Sequence, residues 1–241
     1  MQLPSPLNLP EAVQQHLFAN SAETAQGLAT FVADALRDAL RRRGKASLIV
    51  SGGRTPVLFL NALSAHQIDW ANVHVGLADD RWLPPDHADS NERLVRENLL
   101  RGPAASAHFV SLVNSIETAE QHLASAEISL LKMQQPYDAI ILGVGDDGHT
   151  ASLFPDADGI ADALNLKQAK QLAAITPKTA PYQRITLTLR ALLNSRALMF
   201  LIEGEGKRTA LEQSVDKEKN RFAISTLLQQ EFVPVHLFYN A

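Results

Sequence analysis

His149 sits in the run Gly143-Val144-Gly145-Asp146-Asp147-Gly148-His149-Thr150-Ala151-Ser152-Leu153-Phe154-Pro155, two positions after a carboxylate. Among ordinary side chains, imidazole is best placed to take a proton from water near neutral pH. A histidine beside Asp147 therefore reads as a general base. The residue alone leaves two other readings open, a structural hydrogen-bonder and a metal ligand. Asp86, His87 and Asp89 would be its partners in a carboxylate–imidazole site. Nothing in their spacing fixes such a geometry, and no metal is expected.

Two further loops carry cations and carboxylates. Ser51-Gly52-Gly53-Arg54-Thr55-Pro56 joins a strand to a helix. Its glycines allow a tight turn and close backbone approach, and the helix start offers free N–H groups and the positive end of a dipole. These features suit an anion, with Arg54 and Thr55 as side-chain donors. They also suit a plain turn with Thr55 as the helix cap. Asp79-Asp80-Arg81-Trp82 leads through Pro84 and Pro85 to Ser90-Asn91-Glu92. One carboxylate would orient Arg81 and leave its fork free for an oxyanion or a phosphate. The alternative is a salt bridge in a proline-stiffened surface loop. Arg184 opens Arg184-Ile185-Thr186-Leu187-Thr188, and Lys207 follows Gly204-Glu205-Gly206 at a helix start. Both would add positive charge to the same edge. Lys207 next to the positive end of a helix dipole is mildly unfavourable unless an anion joins it.

The elements that must position these loops alternate along the chain. Strands are expected at 14–19, 47–50, 73–78, 139–142, 171–176, 197–202 and 233–239. Helices are expected at 21–43 with Ser21 as its cap, from Pro56, and near 91–101, 117–134, 186–194, 206–214 and 222–229. Residues 79–89 read as a polar loop, and 154–170 as an irregular excursion. Arg41, Arg42 and Arg43 before Gly44 read as the basic last turn of a helix with its glycine cap. Short apolar strands separated by helices argue for an α/β fold, a mostly parallel Rossmann-like sheet with helices on both faces. In such sheets ligands bind beyond the carboxyl ends of the strands, which selects the loops at 51–55, 79–90 and 143–155.

Composition narrows the functions. The chain has 241 residues, 46% hydrophobic and 20% charged, with a formal net charge of -4. One domain over 1–241 is expected, and no nucleic-acid partner. With no cysteine, disulfides, thiolate metal sites and cysteine nucleophiles are excluded. The absence of a long apolar run leads to the expectation of a cytoplasmic protein with no membrane partner. Residues 143–148 match G-x-G-x-x-G, but Pro155 cuts the following helix short, and no Asp or Glu lies between Asp162 and Glu203. The dinucleotide reading therefore lacks its acidic ribose contact, and no cofactor is expected.

Taken together, SGGRTP at 51–56, DDRW at 79–82, SNE at 90–92, GVGDDGHTASLFP at 143–155, RITLT at 184–188 and GEGK at 204–207 resemble the 6-phosphogluconolactonase family. That resemblance implies a NagB/RpiA/CoA transferase-like α/β fold and hydrolysis of 6-phosphogluconolactone without metal or covalent nucleophile. It implies that His149 is the base and that Arg81 meets the carbonyl oxygen or the phosphate. Asp147, from its position, would orient the imidazole. Gly52, Gly53, Arg54, Thr55, Arg184 and Lys207 would hold the phosphate. Asp80, where the family commonly has Glu, is taken as a further substrate contact. The expected partner is a small sugar-phosphate lactone, and the expected assembly a monomer or weak homodimer. The amino-sugar phosphate deaminases that this family resembles place a Glu before the proline of the histidine loop, where this chain has Phe154. A sugar-phosphate sensor would need a DNA-binding module, and no basic helix-turn-helix precedes residue 21.

Overall fold

The computed structural model describes residues 3–113, 118–215 and 223–241. Seven strands form one parallel sheet: β1 (Val13–Leu17), β2 (Ala46–Val50), β3 (Val73–Leu77), β5 (His108–Phe109), β6 (Ala139–Leu142), β9 (Leu198–Glu203) and β10 (Val235–Asn240). Their order is β1-β10-β9-β6-β2-β3-β5, and every pairing is parallel. Strands β2, β6 and β10 are buried at every position, so both faces of the sheet are covered, as parallel strands require. A second, antiparallel sheet orders β4 (Asp79–Arg81), β8 (Arg184–Leu187) and β7 (Leu172–Ile175).

The helices are α1 (Ser21–Arg43), α2 (Pro56–Ser64), α3 (Asn91–Asn98), α4 (Ala119–Leu130), α5 (Ile160–Leu164), α6 (Leu189–Leu193), α7 (Glu205–Ser214) and α8 (Ala223–Gln229). Leu28, Val32 and Leu36 bury the apolar stripe of α1. Its basic last turn ends at Gly44, whose left-handed φ of 72° lets the cap N–H reach Leu40 O. The cap at the other end is Asn20 rather than Ser21. Asn20 Oδ1 accepts from Glu23 N at 2.9 Å, and the Glu23 carboxylate returns to Ala19 N and Asn20 Nδ2. A reciprocal box starting one residue earlier satisfies more donors than Ser21 would.

The other departures from expectation lie in short elements. Asp79–Arg81 opens the supposed polar loop as a strand, and Arg184–Leu187 is its partner rather than the start of a helix over 186–194. β-branched Ile185 and Thr186 favour the pleat, and Thr188 Oγ1 then caps α6 by accepting from Ala191 N. The irregular stretch 154–170 contains α5. Position 117 of the expected 117–134 helix and position 222 of the 222–229 helix lie outside the described residues. Among the described residues no helix is long and apolar enough to cross a membrane.

The topology places the chemistry. Strands β9, β6, β2 and β3 are neighbours and point the same way. The loops that follow them therefore emerge side by side. From β2 the chain builds outward to β3 and β5, then returns to β6 on the other side and continues to β9 and β10. The switch lies between β2 and β6, where a crevice opens beyond the strand ends.

Away from that crevice, His236 of β10 is buried beside His16 of β1, Nδ1 to Nε2 at 3.3 Å, with Phe31 packed 4.6 Å from its ring. Burial, and then His16, push the His236 imidazole down to about 4 from an ordinary 6.5. The unfolded chain binds this proton more readily. The stability from a neutral His236 is therefore complete above about 6.5 and lost as pH falls toward 4. Melting curves of wild type and His236→Gln between pH 7 and pH 4 should show the wild type losing several degrees relative to the variant. A constant difference would remove His236 as the source.

Candidate active site

The crevice is a cavity of about 430 Å³. His149, Arg81, Gly52, Gly53, Arg54, Thr55, Arg184 and Lys207 all line it. The structure thus brings together eight of the ten residues singled out from sequence. Asp147 and Asp80 do not line it; Asp147 is exposed and Asp80 is buried.

His149 is held on a tightly closed loop. Gly145 N donates to His149 O at 2.8 Å, Gly148 N to Gly145 O at 2.9 Å, and Thr150 Oγ1 to Gly143 O at 2.9 Å. The imidazole Nδ1 lies 2.5 Å from Asp147 Oδ1, and the same oxygen accepts from His149 N at 3.2 Å. With Nδ1 donating to the carboxylate, Nε2 keeps its lone pair. Phe154 stacks on the ring at 4.0 Å between centroids. The second glycine of the G-x-G-x-x-G run at 143–148 has a local reason. A Cβ at Gly145 would lie 2.2 Å from His149 Nδ1 and 2.6 Å from Asp147 Oδ1. Ala151, two residues beyond the histidine, has a left-handed φ of 48°, a conformation that costs an L-residue about 1–2 kcal/mol.

The cationic wall comes from the small sheet. Arg81 and Arg184 are register partners on β4 and β8. Arg184 is 7% exposed, its Nε has no hydrogen-bond partner among the described residues, Nη2 donates to Pro181 O at 3.1 Å, and the guanidinium lies 5.8 Å from the Phe154 ring centre. Burial, then the charge of Arg81, pull its pKa below the usual guanidinium value. Two adjacent cations, one of them buried, call for an anion. Another cation lining the cavity comes from the start of α7 and reaches across to the first loop. Lys207 Nζ donates to Thr55 Oγ1 at 3.1 Å. The Thr55 hydroxyl does not cap α2, so the simple turn reading of this loop falls short.

Asp80 does not line the cavity and is taken up by protein donors. It is 1% exposed, and its oxygens accept from Arg81 N, Asn91 N, Glu92 N and Ser90 Oγ at 2.7–3.2 Å. It anchors the start of α3. Burial pushes its carboxyl up to about 6 in spite of these donors. Asp79 Oδ2 accepts from Ser152 Oγ at 2.6 Å and ties the histidine loop to β4. Sequence reasoning passed over Asn91 and Ser51, which also line the cavity. The polar SNE triplet at a helix start was the available signal for Asn91. Among the described residues, no group of three or more His, Asp or Glu side chains is placed to hold a metal ion.

The family model for glucosamine-6-phosphate isomerases and 6-phosphogluconolactonases matches residues 19–234. The chain belongs to this family. The 6-phosphogluconolactonase of Pseudomonas aeruginosa is 42% identical over 217 residues, 90% of this chain and 91% of that protein. That of Neisseria meningitidis is 41% identical over 225 residues, 93% and 97%. The crystal structure of a 6-phosphogluconolactonase from Shewanella baltica matches with a TM-score of 0.92 at 40% identity, over 97% of this chain and 99% of that one. A monomeric glucosamine-6-phosphate deaminase shares the fold with a TM-score of 0.72 at 17% identity, over 94% and 96%.

Gly145→Ala should force the imidazole away from Asp147. The ¹⁵N chemical shifts of the His149 ring should change as Nδ1 loses its carboxylate partner, while the melting temperature falls by only a few degrees. Unchanged ring shifts would show that the loop absorbs the methyl group and that the glycine is not needed for the pair.

Proposed function

We propose that the protein hydrolyses 6-phospho-D-glucono-1,5-lactone to 6-phospho-D-gluconate. The observation that carries this reading is the shared cavity: a carboxylate-paired imidazole lines it together with the cations of Arg81, Arg184 and Lys207. The family membership and the names of relatives near 40% identity support it.

The phosphate is taken by the 51–55 loop, Thr55, Lys207 and Arg184. A dianion there satisfies cations that the protein alone leaves under-paired. Fixing the phosphate places the lactone carbonyl near His149, so that much of the barrier is met by positioning. Water attacks C1 as Nε2 takes its proton, and Asp147 stabilises the imidazolium that forms. Charge grows on the carbonyl oxygen. Arg81, whose Nη1 is committed to Asn91 and to Asp89 O, turns the rest of its fork to that oxygen. When the tetrahedral intermediate collapses, the ring C–O bond breaks, and the imidazolium returns the proton to the departing oxygen. The new carboxylic acid then ionises into solvent. A lactone is an activated acyl group, so no covalent enzyme intermediate is needed.

The deaminase reading has less support here, because Phe154 occupies the position that would carry its ring-opening carboxylate. Ammonia release from glucosamine 6-phosphate at rates exceeding lactone hydrolysis would overturn the proposal.

His149→Ala should lower kcat by roughly 10²–10⁴-fold while 6-phosphogluconate binds within a few-fold of wild type by calorimetry. Wild-type turnover in this variant would remove the base. Arg184→Ala and Lys207→Ala should each raise KM at least tenfold. Unchanged KM in both would move the phosphate elsewhere. For Arg81→Ala the expected loss is in kcat, and a loss confined to KM would assign Arg81 to the phosphate instead.

A further inference from the structure

Asn91 makes contacts that few side chains could replace. It is 2% exposed, yet it lines the cavity. Its Oδ1 accepts from Arg81 Nη1 at 2.8 Å, and its Nδ2 donates to Asp79 O at 2.8 Å. Its own backbone N–H is held by Asp80 Oδ1 at 2.7 Å. One partner is a guanidinium, which only donates. The other is a carbonyl, which only accepts. A primary amide satisfies both in a single orientation. A carboxylate would hold Arg81 but face the Asp79 carbonyl with no hydrogen to offer, and an alkyl group would leave both partners unpaired.

Gly52 extends the same arrangement. A Cβ at that position would fall 1.8 Å from Asn91 Oδ1, 2.2 Å from its Cγ and 2.7 Å from its Nδ2. The whole amide lies where a Gly52 side chain would start. Gly53 next to it has a left-handed φ of 100° and nothing within 4 Å of its would-be Cβ. The two glycines are therefore there for different reasons. Gly53 serves the turn, and Gly52 makes room for Asn91.

We propose that Asn91 is a positioning residue for Arg81, and that Gly52 is required chiefly to give that amide its place. The inference rests on the lactonase reading for its kinetic readout. Asn91 acts through the guanidinium: it fixes Nη1, so that the remaining donors of the fork meet the substrate without reorganising. The loop after β2 and the loop after β3 are thereby coupled, because the first must stay free of a side chain for the second to aim its arginine.

The test is a pair of double-mutant cycles on lactone hydrolysis, with melting temperatures recorded for every variant. Asn91→Ala should lower kcat/KM by about 10- to 100-fold, the loss expected for a hydrogen bond to a charged group. Asn91→Asp, which keeps an acceptor for Arg81, should recover part of that loss. In an Arg81→Ala background, Asn91→Ala should cost less than threefold, because the group it positions is gone. Gly52→Ala should cost at least tenfold alone and much less beside Asn91→Ala, where the space is vacant. Full additivity in the Arg81 cycle would overturn the positioning role, and full additivity in the Gly52 cycle would overturn the clearance role. An equal loss in Asn91→Ala and Asn91→Asp, with lowered melting temperatures in both, would reduce Asn91 to a structural part. A wild-type chain without lactone turnover would sink the lactonase reading instead. The effect of Gly52→Ala on stability would then still test the clearance, through its dependence on Asn91.

Discussion

Two successive carboxylates on a three-residue strand hold the cavity in shape. Adjacent residues on a strand point to opposite sides, and Asp79 and Asp80 use this. Asp79 reaches the histidine loop through Ser152, and Asp80 gathers the start of α3 through three donors while also accepting from Arg81 N. Arg81 follows directly and emerges between the two attachments. Neither carboxylate needs to meet the substrate for the site to depend on both. Their burial costs free energy that only a complete set of donors offsets, so the loops are fixed or the strand is badly destabilised.

Much of the large-scale arrangement could be read in the chain itself. Long amphipathic α1 and continuous apolar runs such as Ala139–Leu142 give strong periodic signals, and the rule that ligands sit beyond strand ends then selects the right loops. Of the small antiparallel sheet only β7 was legible, expected as a strand at 171–176. β4 and β8 have three and four residues, too few for a period to stand out, and Arg184–Leu187 runs straight into α6. The β4–β8 pairing also joins residues more than a hundred positions apart, which no local pattern records.

The site was legible in its chemistry and less so in its division of labour. Residue type marked His149, Arg81, Arg184 and Lys207, and the cavity collects them. Asp80 was picked out by residue type as well, but the backbone donors that surround it cannot be read from the sequence. The glycines hid a second role. Gly52 suggested close approach of backbone to ligand, and Gly145 a dinucleotide pattern; each also leaves room for a neighbouring side chain, an amide in one case and an imidazole pair in the other. The absence of a Cβ can be read from sequence, but what occupies its place cannot.

Ala151 has a consequence for the thermodynamics of the whole loop. Its left-handed backbone lies between Thr150, tied to Gly143, and Ser152, tied to Asp79. The turn is thus a loaded spring whose two ends are pinned. Exchanging the alanine for glycine would slacken it, but would also widen the set of shapes open to the unfolded chain. Relief in the native fold and added freedom in the denatured ensemble oppose one another there. The stretch that carries the imidazole is accordingly a poor target for hardening the protein against heat, and tolerance is better sought at the far end of the sheet.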